Sequence, residues 1–177
     1  MALISAASDQ ALLMRYQRGD RDAFRLLVQR YHVRTYNFVL RQLNSALMAD
    51  ELAPRVFVAV AVRAGQLSQQ SRFAAHLFQE AHRRCSTHAE RTTERPKPDG
   101  EPSDEQPPEE ALFSAIDRLP AMQRDTFLLR EVAQLCFPDI AFVLGQREST
   151  VKIYMQGALR QLHRELQLMP NAQGRSH

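Results

Sequence analysis

Residues 134–162 read QLCFPDIAFVLGQRESTVKIYMQGALRQL, and the pattern predicts two short helices joined by a tight turn. Pro138 and Asp139 stand where a helix can begin, because proline in the first turn gives up an N–H that has no partner there. Ile140, Val143 and Leu144 supply apolar residues at i, i+3 and i+4. Gly145 suits the left-handed residue that ends a helix. Glu148, Ser149 or Thr150 can open the next one, where a short oxygen-bearing side chain accepts a free backbone N–H. Val151, Tyr154, Met155, Ala158, Leu159 and Leu162 then form an apolar stripe, and Arg147, Ser149, Thr150, Lys152 and Gln156 are left outside. This is the layout of a helix-turn-helix whose second helix can enter a DNA major groove. A plain pair of packed helices is the alternative that the spacing leaves open.

The two segments before it are also helical. Residues 111–118 carry Leu112, Phe113 and Ile116, and Leu119-Pro120 ends the run. Residues 121–133 offer Met122, Phe127, Leu128 and Val132 for packing. Upstream of both, residues 91–110 read RTTERPKPDGEPSDEQPPEE, with five prolines and almost nothing apolar. Such a segment cannot bury enough surface to offset its ordering entropy, so it reads as a disordered acidic linker. It divides the chain into an N-terminal domain over 1–90 and a C-terminal one over 111–169. The tail beyond is polar.

The N-terminal domain reads as four helices. Residues 9–18 form the first, with Ser8 as cap and Gly19 as stop. Asp20 caps a longer second one, where Phe24, Leu27, Val28 and Tyr31 share a face. Tyr36, Val39, Leu40 and Leu43 continue the stripe after a turn or bend. Asn44-Ser45 reads as a break and a new cap. In the third helix, residues 46–64, Ala49, Leu52, Val56, Phe57 and Val60 line one side. Pro54 inside it predicts a local kink, because proline removes a hydrogen bond and crowds the preceding turn. Residues 65–70 read as a loop. Ser71 caps a fourth helix to about residue 90, with Phe73, Leu77, Ala81 and Cys85 inward and Arg72, Arg83 and Arg84 outward. Few alternating runs appear, so the fold class is all-α, in two small helical domains.

Composition narrows the function. Net charge is only +3, but it is unevenly spread. Residues 1–90 hold 12 arginines against seven acids, a net of +5; residues 91–112 come to −4 and residues 113–177 to +2. Basic folded parts beside an acidic connector suit a nucleic-acid partner, and equally an ordinary solvated surface. No apolar run approaches a membrane span, and MALISAASDQ lacks the features of a secretory signal. The two cysteines, Cys85 and Cys136, read as two small buried thiols in a reducing cytoplasm rather than a disulfide framework. His82, Cys85 and His88 are spaced so that two of them could share a metal. On a straight helix His82 and His88 diverge by about 120°, so a third ligand requires the helix to end early. No phosphate-cradling glycine loop, nucleophile elbow or paired metal motif is present, and no enzyme or cofactor is expected.

Four stretches together resemble one family. GDRDAFRLLVQRY in the N-terminal half, ADEL at residues 49–52 with Phe57 behind it, AIDRLPAMQRDTFLLREV, and DIAFVLGQRESTVKIYMQGAL occur in the order found in bacterial sigma-70 factors of the extracytoplasmic-function (ECF) group. The resemblance covers nearly the whole chain. It implies a transcription initiation factor that binds core RNA polymerase and directs it to promoter DNA. The first domain would grip the polymerase clamp through Asp50, Glu51, Leu52 and Phe57. Phe73, His76, Arg83 and Arg84 would meet the minus-ten strand, with His76 or Phe73 offering a ring for stacking. Arg147, Ser149, Thr150 and Lys152 would bind the minus-thirty-five duplex, and an anti-sigma factor would wedge between the domains.

The chain departs from the family pattern at several points. Pro54 and Arg55 replace the usual Gln and Glu, His76 replaces a Trp, and Arg83 stands where an Asn is expected. Tyr154 and Gly157-Ala158-Leu159 stand where arginines are common. These changes favour, as an alternative, a sigma-derived DNA-binding or protein-interaction regulator that does not open promoters. A simple helix-turn-helix repressor is the third reading.

Overall fold

The computed structural model describes residues 7–67, 72–91 and 108–167. Among them the chain forms eight α-helices and one short 3-10 turn. The helices are α1 (Asp9–Gln17), α2 (Arg21–Leu43), α3 (Ala46–Arg63), α4 (Phe73–Arg91), α5 (Pro108–Asp117), α6 (Ala121–Glu131), α7 (Phe137–Leu144) and α8 (Glu148–Gln167). Most of the expected linker, and the proposed Ser71 cap, lie outside the described residues. The linker's last three residues, 108–110, belong to α5.

Local signals set the N-terminal boundaries. The Ser8 hydroxyl accepts from the Ala11 N–H, and the Asp20 carboxylate accepts from the Asp22 and Ala23 N–H groups. Each satisfies donors that a helix start leaves unpaired. Gly19 has φ +98° and Asn44 φ +50°, both left-handed, and Ser45 caps α3 through the Met48 N–H. The expected bend in α2 is absent, and the helix runs unbroken for 23 residues. Thr35 and Phe38 are fully buried and carry the core face between Tyr31 and Val39.

α1 to α4 pack together, with α2 lying against α1, α3 and α4. Phe38 meets Phe78 edge-on at 5.6 Å, and Phe73 contacts both Phe24 and Tyr31. α5 to α8 form the second unit, in which α8 packs on α5, α6 and α7. Gly157 brings α8 close to α6, since a Cβ there would lie 2.8 Å from the Gln123 side-chain nitrogen.

The two units are packed against each other, α4 on α7 and α2 on α6. Arg124 donates to the Arg41 and Gln42 carbonyls at the end of α2. Gln42 donates to Asp125 at 2.8 Å, and the other Asp125 oxygen lies 3.0 Å from His82 Nε2. Arg41 stacks over the Phe113 ring at 3.2 Å. Buried residues of both units therefore form one cluster.

α3 is continuous through Pro54, and Pro54 is exposed. The carbonyl that loses its partner there can turn to water, so the proline costs helix stability without breaking the helix. Pro54→Ala is expected to raise the stability of the full chain by ~2 kcal/mol. The gain from helix propensity outweighs the entropy that proline removes from the unfolded chain. A urea midpoint that stays unchanged or falls would contradict this.

Glu80 is the buried acid of α4, 4% exposed. Arg83 reaches it at 2.7 and 3.0 Å, Arg84 at 2.7 Å and Arg63 from α3 at 3.3 Å. Burial pushes its pKa up, but the hydrogen bonds from Arg83 and Arg84 outweigh it, and the net shift is downward. The folded chain therefore binds the proton more weakly than the unfolded one. The stabilisation is complete above the ordinary carboxylate range and is lost as pH falls through it. Glu80→Gln is expected to cost ~2 kcal/mol at neutral pH and to flatten the fall in stability below about pH 4.5. Urea titrations of both proteins from pH 7 to pH 3 measure both effects.

Candidate nucleic-acid interface

The helix-turn-helix forms as its residues dictate. Pro138 occupies the first turn of α7, Ile140 and Val143 are buried, and Gly145 exits with φ +62°. The Gln146 N–H returns to the Ala141 carbonyl at 3.0 Å and closes the turn. α8 begins at Glu148, and the Val151 N–H bonds the Arg147 carbonyl at 3.1 Å. Ser149 and Thr150 are thus inside the first helical turn rather than ahead of it. Val151, Met155, Ala158 and Leu162 anchor the helix. Leu159, expected in that stripe, is instead exposed.

The outer face of α8 collects Ser149, Lys152, Gln156 and Arg160, all exposed, with Thr150 half-buried beside them and Arg147 exposed in the turn. Lys152 does not stand free. Its ammonium lies 2.6 Å from Glu148 and 5.8 Å from the centre of the Phe137 ring. Ile153 is exposed on the same face. Nothing in the spacing singles it out, because it fits neither the apolar stripe nor the polar set.

The expected minus-ten residues are placed differently. Phe73 is 1% exposed and belongs to the core, so its ring offers no stacking surface. His76 is half-buried, edge-on to Phe142 of α7 at 5.0 Å, and burial lowers its pKa. Arg83 and Arg84 both bind Glu80, and Arg84, expected outward, is half-buried. Arg72 spans to α7, 2.6 Å from Asp139 and 3.6 Å from the Cys136 sulfur.

The expected clamp residues divide. Asp50 and Glu51 are exposed on α3, Leu52 is half-buried, and Phe57 is buried in the core. Arg55 pairs with Glu51 at 2.9 Å one turn away, so the replacement Arg cancels a charge the face would otherwise show. The same face carries Leu47, Val58 and Val62, 74%, 64% and 79% exposed. The run VFVAVAV holds the signal for this, since it has more apolar residues than one buried face can use.

The metal reading fails on geometry. α4 continues to Arg91, past the point where a third ligand would need it to stop. His82 is engaged with Asp125. Cys85 is buried, and burial followed by the nearby Asp125 charge pushes its thiol up to about 12, which leaves it unreactive at neutral pH. Among the described residues no three potential ligands cluster. No described helix is long and apolar enough to cross a membrane.

Comparison with known proteins agrees with this architecture. Residues 109–162 match the family model described as sigma-70, region 4. RNA polymerase sigma-H factor of Pseudomonas aeruginosa is 27% identical, over 85% of this chain and 89% of that protein. The ECF RNA polymerase sigma factor BldN of Streptomyces coelicolor is 29% identical, over 92% of this chain and 69% of that one. Among solved structures, CnrH in complex with the cytosolic domain of CnrY superposes with a TM-score of 0.73, at 20% identity, over 90% of this chain and 97% of that one. The sigma factor RpoE of Bartonella quintana, in complex with the anti-sigma factor NepR, gives 0.68 at 17% identity, over 82% of this chain and 97% of that one. The region 4 match falls on the helices that build the helix-turn-helix, and the two relatives extend the likeness to bacterial sigma factors through the N-terminal half.

Proposed function

We propose that this chain is a cytoplasmic transcription initiation factor that binds core RNA polymerase and directs it to a set of promoters, without turnover of its own. The observation that carries this reading is the exposed face of α8. It is held rigid by a buried stripe and bears Ser149, Thr150, Lys152 and Gln156, with Arg147 at its N-terminal end. An α-helix fits the B-DNA major groove, and such side chains reach phosphates and base edges there. α3 docks on the polymerase through Leu47, Val58 and Val62, with Asp50 and Glu51 at the edge, rather than through Phe57. An anti-sigma partner binds where α4 and α7 now meet.

The second reading, a regulator that holds polymerase or DNA but does not open promoters, has its own support. Phe73 is sealed in the core, and Arg83 and Arg84 are committed to Glu80. A surface for the separated strand must therefore come from Arg72 and His76. Reconstitution with core polymerase on a promoter library separates the readings. Promoter-dependent transcripts are the expected outcome. A stable polymerase complex with no open promoter selects the second reading, and no affinity for polymerase overturns both.

Lys152 tests the duplex contact. Lys152→Ala should weaken the polymerase complex on all upstream elements alike and reduce the salt dependence of binding by about one counterion. Glu148→Gln releases Lys152 from its partner and should tighten binding about threefold at low salt. A Glu148→Gln protein that binds no better would show that Lys152 does not contact the phosphate backbone.

A further inference from the structure

We infer that Ile153 is a specificity-determining residue of the upstream duplex contact, and that it selects a thymine by packing on the thymine 5-methyl group. The inference rests on the proposed function, because it assumes that α8 enters a major groove.

Position carries the argument. A single exposed aliphatic side chain is ordinary on any surface. At 100° per residue, however, Ile153 lies about 180° from Leu162 and about 160° from Val151 and Met155, the residues that fix α8 to its unit. With Arg160 it is one of the two residues of α8 that point most directly away from the buried stripe, and it is 62% exposed. Ser149, Gln156 and Arg160 lie within about 60° of it on the helix surface, and all three are exposed. An apolar branched side chain thus sits at the centre of a face whose surroundings are polar. α8 packs against α5, α6 and α7 with its buried stripe on the opposite side of the helix, and Gly157, about 40° from Ile153, is the place where Gln123 of α6 reaches round toward this face.

The chemistry of the groove supplies the partner. Base edges in the major groove are hydrogen-bond donors and acceptors, except for the thymine 5-methyl group. Ile153 can neither donate nor accept. Placed over guanine, cytosine or adenine, it takes water from a polar edge and returns no hydrogen bond. Over thymine, two apolar groups leave water together. Ser149 and Gln156, one turn to either side, remain able to hydrogen-bond the flanking bases, and Arg160 to reach a phosphate.

The test uses the full chain assembled with core polymerase on duplexes randomised across the upstream element. The wild-type complex should enrich thymine at one position. Ile153→Val should keep that preference, and Ile153→Ala should lose it while preferences at the other positions persist. Uracil in place of that thymine removes only the methyl group. It should weaken wild-type binding about fourfold, the ratio one buried methyl is worth, and leave the Ile153→Ala complex unaffected. A complex that selects a sequence but shows equal loss on uracil with and without Ile153 overturns the inference and leaves the proposed function standing. An Ile153→Ala protein weakened on every sequence alike also overturns it. A complex that selects no upstream sequence at all sinks the proposed function itself.

Discussion

Arg124 is the side chain on which the arrangement of the two halves depends. It leaves α6, is 2% exposed, and lies 3.1 Å from the Asp117 carboxylate. From there it donates to the Arg41 and Gln42 carbonyls, at the end of α2. The last carbonyls of a helix lack intrahelical partners and carry the negative end of its dipole, so a guanidinium with several fixed donors suits them. A buried guanidinium is tolerable only while those partners stay in place. The next residue, Asp125, accepts from Gln42 and sits against His82. Two adjacent residues of α6 thus bind α2, α4 and α5 at one point, and α7 packs on α4 as well.

That packing changes how the proposed surfaces are used. The composition of residues 91–110 suggests two modules on a tether, and the described parts of those modules instead share a core. Arg72, just ahead of α4, and His76, within it, face α7 and are also the groups proposed above for a separated DNA strand. A side chain bonded to Asp139 or stacked on Phe142 must leave that partner to meet a new one, and the cost subtracts from the gain on binding. The Arg72–Asp139 pair joins an arginine side chain that is 59% exposed to a carboxylate that is 14% exposed, so it is not the fully exposed kind of pair that contributes only about 0–1 kcal/mol. On the other side Arg124, 2% exposed, holds α6 to the end of α2.

Features set by neighbouring residues are legible in the chain itself. Ser8, Asp20 and Ser45 cap, Asn44 and Gly145 terminate, and Pro138 opens a helix, each through bonds or dihedral angles within a few residues. The helix-turn-helix is readable for the same reason. What escapes such a reading depends on a partner far away in sequence. Phe57 and Phe73 follow their helical spacing inward, and what the burial overturns is the binding role that the resemblance implied for them. Thr35, a polar residue at a core position, disguises the continuity of α2 as a bend. Buried Glu80 and Arg124 look like any surface charges in a helix, because their partners lie on other elements or in another turn. Leu47, Val58 and Val62 are hidden by the reverse problem, an apolar helix whose buried side cannot be told from its exposed one by pattern alone.

The outward face of α8 shows what the departures from the family pattern do as a group. Tyr154, Gly157 and Leu159 stand where arginines are common in the family, and fewer cations on a DNA-facing helix lower affinity for every sequence alike. Gly157 has a structural occupant, since Gln123 fills the space where its side chain would begin. What remains outward is Lys152, restrained by Glu148, with Ser149, Gln156 and Arg160 around an apolar residue at the centre, and Arg147 in the turn. With fewer cations than the family pattern, such a face is suited to weaker binding of DNA in general. Weak duplex binding is tolerable for a protein already docked on polymerase, where the upstream element is met at a high local concentration and each further contact adds to one already made. It is a poor arrangement for a factor that must find an operator alone. The chemistry of α8 therefore argues for a reader that works only as part of a larger assembly, and against the independent repressor that a helix-turn-helix by itself would also allow.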